Sequence, residues 1–188
     1  MKGKICHPFH TEFQHSAFSD LLASGKDRVS GASFGMISAA EFEALLPLAC
    51  EWAEAQEREI LDKGEPLTIR QIADAKTIGV RQPENVRLLK VAIIPVPEHP
   101  VLRAAAKATQ LISPETAGLT LRYGIFIRSD CWGNRELVFH ELVHTLQYER
   151  LGGFSRFLQQ YLFECLTIGY PAAPMEQEAI DMTNRLCR

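Results

Sequence analysis

A chain of 188 residues, 46% hydrophobic and 23% charged, has room for one domain with a substantial core and is neither disordered nor fibrous in composition. A net charge of −3 gives no electrostatic case for nucleic acid or an anionic membrane surface as a partner. No run approaches the ~18 consecutive apolar residues of a membrane span, and the N-terminus has lysines without the apolar core of a secretory signal.

The five cysteines are odd in number, scattered, and without a Cys-x-x-Cys pair. That argues against a disulfide framework and for a reducing, cytoplasmic compartment. Residues 1–37 show no clear periodicity and read as an irregular arm, with one short helix near SAFSDLLASG. Its tip carries Cys6, His7, His10 and His15, metal-binding residue types that lack the paired spacing of a structural zinc site. An arm of this kind is a candidate cover for a cleft.

Ser38 and Glu41 are spaced as a capping box. Phe42, Leu45, Ala49, Trp52 and Ile60 then recur at helical spacing, so a long amphipathic helix is expected, kinked or restarted at Pro47. The charge run from Glu51 to Glu59 reads as its wet face. Thr68 and Gln71 cap a second, shorter helix with a stripe of Ile69, Ile72 and Ala73, ended by Gly79. VRLLKVAIIPV is a strand stopped by Pro95 and Pro97, and Pro100 opens another helix. GLTLRYGIFIRSD alternates apolar and polar residues, as one half-buried strand with a wet face does. Three helices close the chain: about Asn134 to Leu151, then FSRFLQQYLFECLTIG, then one from Pro174 to the end. No repeat, linker or composition break divides residues 1–188 into more than one domain.

The first of these three, RELVFHELVHTLQYERL, sets two histidines and a glutamate in a run otherwise apolar almost all round. His140-Glu141-Leu142-Val143-His144 is His-Glu-x-x-His, and residues four apart stack on one helix face, so both imidazoles reach one ion. Glu141 lies about 100° round the helix, poor as a third ligand but placed to bond a water on that ion. Zinc held by three protein ligands keeps one position for water and lowers its pKa to about 7. The expected reaction is hydrolysis by zinc-bound water with Glu141 as general base. The competing reading is two histidines satisfied within a helical core; the apolar surroundings, and an upstream strand with one polar face suited to an extended peptide, weigh against it.

A third ligand must come from beyond this helix. The last helix offers Glu176, Glu178 and Asp181. Drawn as a helix, its apolar face is Met175, Ala179, Met182 and Leu186; Glu176 flanks the buried side, and Glu178 flanks a charged stripe with Asp181 and Arg185. Glu176 is the expected ligand and Glu178 the fallback. Gln147 shares the histidine face as a possible partner of a ligand or substrate. Tyr123, Tyr148 and Tyr170 are candidate donors to an oxyanion.

HELVHTLQYERLGG, followed by FLQQYLFE and GYPAAPMEQEA, resembles small bacterial zincins of the gluzincin kind. The resemblance covers roughly residues 117–182, including the strand GLTLRYGIFIR. It implies a zincin-like α+β fold, a small, mostly antiparallel sheet packed on a helical bundle that carries the metal site. It further implies a zinc-dependent metallohydrolase, a peptidase acting on a peptide or protein, with His140, His144 and Glu176 as zinc ligands and Glu141 as catalytic base. Many gluzincins place an acidic residue four positions after the ligand glutamate to orient a histidine; here that position is Ile180. The alternative is a non-catalytic zinc-containing regulatory or protein-interaction module.

Overall fold

The computed structural model describes residues 38–109 and 111–187; the arm with its short helix and its Cys/His cluster falls outside them. Helix α1 (Ala39–Lys63) starts at the expected capping box, Glu41 N donating to Ser38 Oγ and Ser38 N to Glu41. It runs through Pro47 as one helix rather than restarting. Helix α2 (Ile69–Ile78) has the reciprocal Thr68–Gln71 cap and stops at Gly79 in the left-handed conformation. Its buried stripe is Ile72, Ala75 and Ile78 rather than the expected set, for Ile69 at the first turn points to solvent.

The sheet comprises β1 (Glu65–Pro66), β2 (Arg87–Val91), β3 (Gly118–Leu121) and β4 (Gly124–Arg128), in the order β1-β2-β4-β3. Its outer pairings are antiparallel and its central one, β2 with β4, is parallel. The sheet is therefore mixed, with two of its three pairings antiparallel. A parallel pair needs a crossover, and the segment holding α3 (Pro100–Thr109) supplies it.

The expected single half-wet strand is a hairpin. Arg122 takes a left-handed φ of 59° at its turn, a conformation without a side-chain signature in this sequence. β4 is buried on both faces, because helices cover both. Ile125 and Ile127 pack with Leu88 against α2 and α4 (Arg135–Leu151), whereas Phe126 and Leu121 pack with Ile60 of α1 and with the aromatic α5 (Phe154–Thr167). Gly124 permits that second contact: a Cβ there would stand 2.9–3.2 Å from three atoms of Ile60. The charge run on α1 is not wholly wet either. Glu57 is buried and accepts from Arg122 Nε at 2.9 Å, from its Nη2 at 2.6 Å and from Tyr123 N at 3.1 Å, pinning the hairpin turn to α1.

Helix α6 (Pro174–Leu186) completes the fold against α4. Its first turn is fixed from α5, where the buried Glu164 accepts from Met175 N at 2.8 Å. Of the cysteines, Cys50, Cys165 and Cys187 are free and Cys131 is disulfide-bonded. No described helix is long and apolar enough to cross a membrane.

Candidate metal centre

α4 is the central helix that its apolar surroundings demand. Asn134 caps it, Oδ1 accepting from Leu137 N at 3.1 Å, and every residue from Leu137 to Thr145 is buried. His140 and His144 are each 6% exposed, on consecutive turns. Their Nε2 atoms lie 3.1 Å apart with the rings nearly perpendicular. α6 delivers Glu176, 2% exposed, across that pair. Its Oε1 is 3.3 Å from His144 Nε2 and its Oε2 is 3.4 Å from His140 Nε2.

These separations match the donor set of a small cation. Ligands about 2.0–2.1 Å from a tetrahedral zinc sit roughly 3.3 Å from one another. Glu176 Oε2 is moreover buried without any hydrogen bond, costly for a carboxylate oxygen unless a cation or water occupies the space it faces. Two nitrogens and a carboxylate oxygen suit zinc by ligand chemistry. His140, His144 and Glu176 thus come together as expected. Glu178 does not join them: it forms a two-bonded pair with Arg150, at 2.6 and 2.7 Å.

Without an ion the cluster is electrostatically coupled. Burial opposes charge on His144, but the carboxylates of Glu176 and Glu141 outweigh it and push the imidazole up to about 9. Burial likewise favours protonated Glu176, yet the two histidines hold it well below the usual carboxylate range.

Glu141 is 5% exposed and turns toward β3. The Thr120 hydroxyl donates to its Oε2 at 2.6 Å and also lies 3.0 Å from its backbone oxygen. Gly118, on the same strand, meets the other oxygen so closely that a Cβ would collide with it and stand 2.8 Å from Cδ. A bare strand edge therefore cradles this carboxylate. Gly118→Ala should displace Glu141 while sparing the metal donors: zinc affinity in a chelator competition stays within about threefold, and any hydrolytic rate falls by 10-fold or more, given what misplacement by about 1 Å costs. Equal rates in both forms would show that Glu141 needs no such cradle.

The candidate tyrosines separate. Tyr123 donates to Glu149 at 3.0 Å and is spoken for. Tyr148 is buried in a stack on Phe157. Tyr170 alone remains near the centre and partly exposed, raised first by burial and then by the charges of Glu176 and Glu141. The sequence reading missed Tyr161. Its hydroxyl donates to Glu176 Oε1 at 2.6 Å and its ring lies edge-on to His144, 5.8 Å away. Phe157 and Tyr161, one turn apart in α5, are the signal that could have found it: an aromatic stripe aimed at the motif helix, with one hydroxyl.

No family model, curated protein or solved structure matches this chain.

Proposed function

We propose that the protein is a zinc-dependent hydrolase, a peptidase with a zincin-like fold, in which His140, His144 and Glu176 hold the ion. The observation that carries the reading is the buried convergence of these three donors beside a fourth, ionisable side chain turned to the neighbouring strand. A bound zinc ion supplies Lewis acidity and brings the pKa of water to about 7. Glu141 takes a proton from the attacking water and passes it to the leaving nitrogen. Thr120 and Gly118 hold Glu141 for that task, and Tyr161 keeps Glu176 in place. Among the described residues β3 pairs only with β4, so its outer edge offers main-chain donors and acceptors to an extended peptide beside Glu141.

The near closure of the donor set, 6%, 6% and 2% exposed, favours a second reading, a zinc-stabilised regulatory or interaction module without turnover. Elemental analysis of the purified chain, followed by incubation with mixed peptides read by mass spectrometry, decides. About one zinc per chain and cleavage abolished by a chelator support the peptidase. One zinc without cleavage supports the module, and no zinc removes both.

A further inference from the structure

His144 is oriented by a side chain of its own helix, three residues on. Its Nδ1 lies 2.8 Å from Gln147 Oε1. Which end of that amide faces the ring follows from the groups on its other side. Gln147 Nε2 sits 2.9 Å from Met175 O and 2.9 Å from Glu178 Oε2, two acceptors that require the NH₂ end. The carbonyl must then face His144, so Nδ1 carries the hydrogen and the lone pair of the neutral ring falls on Nε2, toward His140 and Glu176. Glu178 is fixed in turn by both bonds from Arg150. Gln147 is fully buried, whereas Arg150 reaches solvent, its side chain 48% exposed.

We infer that Gln147 is a positioning residue of the metal centre: clamped by Glu178, Arg150 and the Met175 carbonyl, it locks His144 in the tautomer that presents Nε2 to the ion. The inference rests on the reading of His140, His144 and Glu176 as a metal site. It gives Glu178 a role as the group that aims the amide, and it links the centre to an ion pair at the protein surface. α4 contributes the amide and α6 the carboxylate, so the metal's grip depends on the two helices staying in register. Partners that orient a ligand histidine from one bond away contribute about 10- to 100-fold in metal affinity.

The test uses the full chain stripped of metal, titrated with zinc against a chromophoric chelator, in four forms: unmodified, Gln147→Met, Glu178→Ala and the double variant. Methionine preserves the volume and removes both polar ends of the amide. Zinc affinity should fall about 10- to 100-fold in Gln147→Met and less in Glu178→Ala, with the double variant no weaker than Gln147→Met alone, because the carboxylate acts through the amide. Cobalt-loaded Gln147→Met should show an altered ligand-field absorption, reproduced in weaker form by Glu178→Ala. A loss of helix packing alone would lower the melting temperature of the metal-free chain without that spectral change. If Gln147→Met does not fold, Glu178→Ala, altered where solvent reaches, still has to weaken zinc binding. Unchanged affinity in Gln147→Met, or a Glu178→Ala loss that adds in full to it, overturns the inference while the metal site stands. An unmodified chain that binds no zinc overturns the metal reading and this inference together.

Discussion

Glu176→Ala is expected to leave the purified protein essentially without zinc. Structural zinc sites bind with about 10–16 kcal/mol, so one ligand of three or four accounts for a few kcal/mol, on the order of 10³-fold in affinity. Glu178, bonded to Arg150 rather than to the histidines, sets the contrast: its loss costs far less. Binding by the unmodified chain also displaces a proton. In the metal-free chain His144 is raised to about 9, so at pH 7 it carries a proton that an incoming cation must displace. Zinc affinity therefore rises with pH until about 9, and calorimetry in two buffers of different ionisation enthalpy should register release of about one proton. The effect on the metal-free fold has the opposite sign. A histidine whose pKa is higher folded than unfolded stabilises below its unfolded value, near 6.5, and that contribution fades as pH climbs through 9. Glu176, depressed in the fold, stabilises above the ordinary carboxylate range and loses that contribution as pH falls. Zinc retained at full occupancy in Glu176→Ala would mean that the third ligand is another group.

What the sequence disclosed and what it concealed divide along one physical line. Local chemistry was legible. Both capping boxes, the left-handed Gly79, the start of α4 at Asn134 and that of α6 at Pro174 depend on residues a few positions apart. The preference for Glu176 over Glu178 also came from local geometry, the side of one helix face, and the structure brings Glu176 to both imidazoles. Several contacts that depend on a distant segment were misread. The alternation through Leu121-Arg122-Tyr123-Gly124 suggests one strand, but the tight turn pairs Leu121 with Gly124 and Thr120 with Ile125, so the supposed wet face is split: Gly124 and Phe126 lie against α1 and Thr120 against α4. Glu57 reads as solvent-facing until Arg122, 65 residues away, is placed against it. Thr120 and Gly118 carry no motif at all. Their meaning appears only when the edge strand is laid beside α4, which no helix periodicity foretells.

Glu141→Gln separates metal binding from chemistry more sharply than any other change. Glutamine matches glutamate in shape, so Gly118 still accommodates it and Thr120 can still donate to its carbonyl oxygen. Glu141 takes no part in the donor set formed by His140, His144 and Glu176, so zinc content should remain at about one per chain. An amide, however, cannot accept a proton from water and pass it on. Removing a positioned general base costs about 10²- to 10⁴-fold, so cleavage of any responsive peptide should drop below detection in ordinary assays. The hydrogen bond from Thr120 sharpens the expectation, since a hydroxyl 2.6 Å away fixes the position of the carboxylate that must meet the water. Thr120→Val should then act on the same step, lowering the rate with the metal retained, and should have no further effect once Glu141 is glutamine. Peptide cleavage that continues at the unmodified rate in zinc-loaded Glu141→Gln would assign the proton transfer to another residue and leave this carboxylate a structural contact of β3.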